Sequence, residues 1–154
     1  MRVVSNTTPF IALSAVGCLG LLETLYGGVT IPLAVVEELA QGGPIAVPDP
    51  RTLSFVTVAT QPATPLPELL YQLDYAESRA IVLALSEATD LILLDDRQAR
   101  NIAAYLGLTV KGSLGVLAEA KRQGLLVAFT EKALTMQRQG IRFAPRLIRE
   151  IALT

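Results

Sequence analysis

Histidine is absent from the 154 residues, and cysteine occurs once, as Cys18. The first absence removes Ser-His-Asp triads, Cys-His pairs and histidine-bound zinc. The second removes an intramolecular disulfide and leaves Cys18 as a small core residue. Chemistry must then run on carboxylates, hydroxyls, amides, lysine and arginine, and oxygen ligands of this kind suit hard cations such as Mg²⁺ or Mn²⁺. Charge is also sparse, at 18% against 51% hydrophobic residues. That balance excludes disorder and suits a sheet covered on both faces. Long apolar runs are missing too, because Asp, Glu, Arg, Gly or Pro interrupts every candidate before the roughly 18 to 20 residues needed to cross a bilayer. Met1-Arg2 leads directly into Val3-Val4-Ser5, without the apolar stretch or cleavage site of a signal peptide. A cytoplasmic protein with no membrane segment is expected, and no internal repeat or low-complexity tract interrupts it. The length suits one α/β domain over residues 1–154.

What is present centres on Leu91-Ile92-Leu93-Leu94-Asp95-Asp96-Arg97. A short apolar run ending in polar residues suits a strand buried on both faces of a parallel sheet. Residues 98–106 read as the helix that follows. Asp95 and Asp96 therefore stand at the carboxyl end of a buried strand, where ligands bind in open α/β sheets. They are a candidate metal site, and the competing reading is that one of them caps the next helix.

Val3-Val4-Ser5 reads as a first strand, with Asn6 at its carboxyl end and Pro9 at the first position of a helix. Gly17 and Gly20 break that helix, and residues 21–26 form a second short one. Val29-Thr30-Ile31 is a strand, and Pro32 opens a helix that ends at Gly42-Gly43-Pro44. Glu37 and Glu38 are about 100° apart on it, so only one can face the sheet. Residues 44–67 hold six of the nine prolines. They read as loop with a possible strand at Ser54-Phe55-Val56-Thr57-Val58, which could form a hairpin or clamp over the site. Asp74-Tyr75-Ala76-Glu77 starts a buried helix with Glu77 in its first turn, where the helix dipole stabilises an acid whether or not it has another role. Leu108-Thr109-Val110 is a strand, Ser113 a candidate N-cap of the next helix, and residues 130–139 and 145–153 two further helices. Such alternation predicts a mostly parallel sheet with helices on both faces, with Asn6, Asp95 and Asp96 at one edge.

Charge is uneven. Residues 1–110 carry five basic and eleven acidic side chains, whereas residues 111–154 carry eight basic and three acidic. A basic C-terminal third beside an acidic pocket suits a metal enzyme acting on a polyanion, although solvated helix faces would give the same count.

Together these stretches resemble the PIN domain, within a branch of uncharacterised bacterial and archaeal PIN-like proteins related to the toxins of toxin-antitoxin pairs. The likeness is carried by Val4-Ser5-Asn6-Thr7-Thr8-Pro9-Phe10-Ile11, Ile31-Pro32 with Val35-Val36-Glu37-Glu38-Leu39, Glu77 with Ala80-Ile81, the Leu91 to Arg100 stretch, and Gly112-Ser113-Leu114-Gly115-Val116-Leu117. The resemblance implies a three-layer α/β/α fold with acids around one or two Mg²⁺ or Mn²⁺ ions, hydrolysing RNA phosphodiesters. By position, Glu38, Glu77 and Asp96 match the second, third and fourth acids, with Asp95 beside the last. Thr7 or Thr8 matches the hydroxyl that follows the first acid.

Asn6 departs from the pattern, standing where typical members have the first Asp, and Arg79 stands where this branch often has another acid. An amide oxygen can still ligate Mg²⁺ but adds no negative charge. On this reading Asp96, Glu77 and Glu38 hold the ion, and Asn6, Thr8 and Ser113 orient water or substrate. Arg97, Arg100 and the C-terminal basic side chains position the RNA backbone. An antitoxin partner and a homodimer are implied as well. The alternative is a PIN-like module that binds nucleic acid or protein without catalysis. Receiver and haloacid-dehalogenase-type folds need acids after the first strand, where this chain has Ser5-Asn6.

Overall fold

A computed structural model describes residues 1–60 and 66–154. Five strands form one sheet in the order β3-β2-β1-β4-β5, and every neighbouring pair is parallel. They are β1 (Val3–Ser5), β2 (Val29–Pro32), β3 (Val56–Ala59), β4 (Leu91–Leu93) and β5 (Val110–Lys111). Among the described residues, eight α-helices connect and cover them: α1 (Thr7–Ala15), α2 (Leu21–Tyr26), α3 (Leu33–Ala40), α4 (Tyr75–Ser86), α5 (Arg97–Tyr105), α6 (Ser113–Arg122), α7 (Phe129–Arg138) and α8 (Pro145–Ala152).

Strands β1 and β4 are short and wholly buried because both of their faces are covered. Val3, Leu91 and Leu93 pack into one apolar layer with Phe10, Leu13, Leu117 and Met136. Val4, Ile92 and Leu94 point the other way, into a layer with Ile81, Leu83, Ala99 and Ile102. Alternation along each strand thus divides the core into two layers, and α4 and α5 close the second.

The register Val3↔Leu91, Val4↔Ile92, Ser5↔Leu93 places the ends of β1 and β4 side by side. The Asn6 N–H donates to Leu93 O at 3.1 Å and extends that pairing by one residue. Strand order reverses between β1 and β4, so Asn6, Asp95 and Asp96 lie at the crevice where doubly wound sheets bind ligands.

Three local expectations are corrected. The strand in the proline-rich stretch is β3, which pairs in parallel with β2 from Val29↔Val56 to Pro32↔Ala59 and forms a sheet edge, not a hairpin. Its extended, β-branched residues are drawn to the open edge of β2. Residues 61–65 of that stretch lie outside the described residues. Helix α1 begins at Thr7, two residues before Pro9, with Asn6 in extended conformation at its N-cap. Helix α6 is preceded by Gly112 as N-cap, and Ser113 is its first residue, making no capping bond of its own. Its hydroxyl is engaged elsewhere.

Candidate metal and nucleic-acid site

A cleft of about 960 Å³ opens at the carboxyl end of the sheet. It is lined by Thr8, Glu77, Asp95, Asp96, Arg97, Arg100 and Asn101, and on its far side by residues 140–144 and Leu147. Six of the residues singled out in the sequence therefore share one cavity. Asn6, Thr7, Glu38 and Ser113 do not line it.

Each acid is placed by a local rule. Asp96 is the N-cap of α5, its Oδ2 accepting from Ala99 N–H at 2.9 Å. Asp74 and Glu77 form a reciprocal capping box at the start of α4: Asp74 Oδ1 accepts from Glu77 N–H at 2.8 Å, and Glu77 Oε1 accepts from Asp74 N–H at 3.3 Å. The capping readings for Asp96 and Glu77 hold, and each carboxylate retains lone pairs beyond its capping bond.

Burial, followed by the charges of Asp74 and Asp96, pushes Glu77 up to about 7. Glu38 is half-buried whereas Glu37 is exposed, which answers which of the pair faces inward. Burial and then the charge of Asp74 raise its carboxyl above the usual range, and the Thr7 hydroxyl beside it pulls the other way. The Thr7 hydroxyl and Asn6 Oδ1 are buried and make no hydrogen bond of normal geometry. Asp74 thus stands electrostatically between Glu38 and Glu77. Sequence reasoning missed it as a site residue, although the Asp-x-x-Glu spacing at a helix start was its visible signal.

Asp95 differs. Its Oδ1 accepts from Ser113 N–H at 2.7 Å, and its Oδ2 accepts from the Ser113 hydroxyl. Burial raises its carboxyl, while those two bonds and Arg100 oppose the rise. Gly112 leaves room for this arrangement, since a Cβ would lie 3.0 Å from Asp95 Oδ1 and 3.1 Å from Arg100 Nη1 and press on both side chains. Asp95 ties the end of β4 to the start of α6, which explains why Ser113 does not cap its own helix. Asp95→Ala would leave two Ser113 donors without acceptors, and a loss of about 1–3 kcal/mol is expected in urea unfolding. Unchanged stability would remove Asp95 from that role.

Glu38, Glu77 and Asp95 all have raised carboxyl values, so protonation favours the folded state. The stability each contributes is full below its unfolded value and lost as pH rises through its folded value. Without divalent cations, melting temperature should therefore fall as pH rises from about 5 to 8, and Glu77→Gln should flatten the part of the fall near 7. Asp49 and Glu119, whose values are lowered, act only at lower pH. A parallel fall in the variant would contradict the assignment to Glu77.

For a hard cation the donor set fits in kind, since every candidate offers oxygen. An unpartnered amide oxygen at Asn6 and mutual repulsion among the acids are both features that a positive ion would relieve. Among the described residues, no three Asp, Glu or Cys side chains stand close enough together to hold an ion as placed.

Residues 2–153 match the DUF3368 family of PIN domains, and the chain belongs to that family. PIN domains are generally nucleases that use divalent metals, and they often bind nucleic acid. Among solved structures, a PilT N-terminus domain protein from the hyperthermophilic archaeon Sulfolobus solfataricus is similar, with a TM-score of 0.63 and 22% identity over 78% of this chain and 93% of that one. That likeness concerns the fold. No curated protein matches the chain. Among the described residues, no helix is long and apolar enough to cross a membrane.

Proposed function

We propose that this protein is a Mg²⁺- or Mn²⁺-dependent ribonuclease, with the cleft at the β1–β4 switch point as its active site. The observation that carries the reading is the pairing of Glu77 with Asp96 in one cleft that also presents Arg97 and Arg100. Acids alone would repel a phosphodiester, and arginines alone would bind it without chemistry.

Asp96, Glu77 and Glu38 would hold the ion, with Asn6 lending an uncharged oxygen. Asp95, tied to Ser113, supports the site from behind. When bound, such an ion lowers the pKa of water and acts as a Lewis acid toward phosphoryl oxygens. The remaining work belongs to the chain. Thr8 at the cleft wall orients water or substrate, and Thr7 stands beside Glu38. Glu77, poised near neutrality, holds or releases a proton according to what occupies the cleft. Arg97 and Arg100 hold the phosphate backbone by bidentate, charge-assisted bonds.

The test is calorimetric titration of metal-stripped protein with Mn²⁺, followed by incubation with single-stranded RNA. Saturable binding and metal-dependent cleavage support the reading. RNA binding without metal binding or turnover would replace it with the non-catalytic module, which the uncharged Asn6 and the spacing of the acids favour. As the toxin of a toxin-antitoxin pair, the chain would meet an antitoxin covering the acidic cleft and would act as a cytoplasmic homodimer; sedimentation as a monomer at micromolar concentration would contradict the latter.

A further inference from the structure

Across the cleft from α5 stands a wall with no counterpart among the residues singled out from the family pattern: residues 140–144, the link between α7 and α8. Gly140 turns the chain out of α7 with φ +99°, a conformation that L side chains rarely adopt. Ile141 N–H then donates to Met136 O at 3.2 Å and its side chain is buried, while Phe143 packs against the same apolar layer. Arg142, between these two anchors, is exposed and lines the cleft with Glu77 and Asp96.

Among the described residues, no hydrogen bond or ion pair holds the Arg142 side chain in place. None of Arg97, Arg100 and Arg142 is in an ion pair within 4.0 Å among the described residues, although the cleft also contains Glu77, Asp95 and Asp96. Two of these guanidinium groups come from α5 and the third from the opposite wall. A polyanion lying over the acids would meet guanidinium groups from both walls.

We infer that Arg142 is a third phosphate-backbone contact, which grips the RNA from the side opposite Arg97 and Arg100 and so positions the strand over Glu77 and Asp96. The inference rests on the proposed ribonuclease reading. The fork of a guanidinium suits a phosphate better than an ammonium does. Anchoring of the backbone on both sides, by buried Ile141 and partly buried Phe143, reduces the freedom lost on binding. A loop that forms one wall of the cleft also sets which stretch of the strand lies above the acids, so Arg142 acts on placement and not on the bond broken. Acidic side chains of a protein partner would find the same group, and the experiment separates that case.

The test compares parent, Arg142→Ala, Arg142→Lys and the distant Arg51→Ala, using fluorescence anisotropy of a labelled short single-stranded RNA across a salt series and the cleavage kinetics of the same RNA. Arg142→Ala is expected to reduce the slope of log affinity against log salt by about 0.7, the value for one phosphate contact on a single strand. It should raise KM several-fold with kcat little changed. Arg142→Lys should recover the slope but only part of the KM, and Arg51→Ala should match the parent. RNA bound and cleaved alike by parent and Arg142→Ala would overturn the inference alone and leave the group to a protein partner. An equal loss in Arg51→Ala would overturn it too, as a general charge effect. A parent protein that neither binds nor cleaves RNA would overturn the ribonuclease reading, and this inference with it.

Discussion

Asp96→Asn is expected to remove metal-dependent RNA cleavage, by at least the 10²- to 10³-fold typical of deleting one group that stabilises developing charge, while leaving the fold unchanged. The separation is possible because the residue has two tasks on two oxygens. Oδ2 caps α5 through Ala99 N–H, and asparagine caps a helix about as well as aspartate does. The other oxygen is free for an ion, and the carboxylate's negative charge, shared by both oxygens, is what an amide cannot supply. Thermal unfolding should therefore agree between parent and variant within about 0.5 kcal/mol, while Mn²⁺ binding disappears. Glu77 would also lose a neighbouring negative charge, so its raised value should relax toward the ordinary carboxylate range. Full cleavage by the variant would displace Asp96 from the centre of the mechanism. A large loss of stability would mean that its charge, and not its hydrogen bond, holds the helix.

The converse substitution, Asn6→Asp, should move metal affinity the other way. Asn6 is buried and its Oδ1 lacks a partner, an arrangement that costs about 1–3 kcal/mol unless something fills it. A carboxylate there adds a full charge at the switch point. Without metal it would be a buried, unpaired acid beside others, and the melting temperature should drop, more at pH 8 than at pH 5 because protonation relieves the repulsion. With Mn²⁺ the same charge is used, and affinity should rise by about tenfold or more, roughly 1.4 kcal/mol per factor of ten. Stabilisation by metal should then exceed that of the parent at equal concentration. Unaltered Mn²⁺ affinity would show that position 6 does not face the ion, and would move attention to Asp74 as the missing acid.

The parts of the site that were legible in the sequence are those created by local rules. A buried apolar run followed by Asp95-Asp96 gave β4 and its end, and Val3-Val4-Ser5-Asn6 gave the matching end of β1. An acid in a helix's first turn gave Glu77, and the 100° separation of Glu37 from Glu38 limited the choice to one. Tertiary arrangement hid the rest. Ser113 carries the ordinary signature of an N-cap, yet an acid 18 residues earlier takes both its N–H and its hydroxyl. Asp74 looked like a helix start and is one; its closeness to Glu38 depends on how α3 packs against α4, which no single segment encodes. Arg142 was visible only as one of eight basic residues in the C-terminal third, and nothing in its stretch marked it as the one at the cleft beside Glu77 and Asp96. The parallel pairing of β3 was equally invisible, because an edge strand has no sequence mark of its direction.

Pairing of β1 with β4 has a consequence for when the protein becomes competent. Val3 and Leu91 are register partners, and Arg2 N–H reaches Asp90 Oδ2 across a separation of 88 residues. The crevice between Asn6 and Asp96 therefore has no precursor in any shorter stretch of chain. Closing so long a loop is slow relative to forming helices, and its entropy must be met before the contacts return anything. A growing chain would carry α1 to α4 on the ribosome while β1 still lacked its neighbour on one side. Nuclease competence, on the reading proposed above, would arrive only with the closing step of folding.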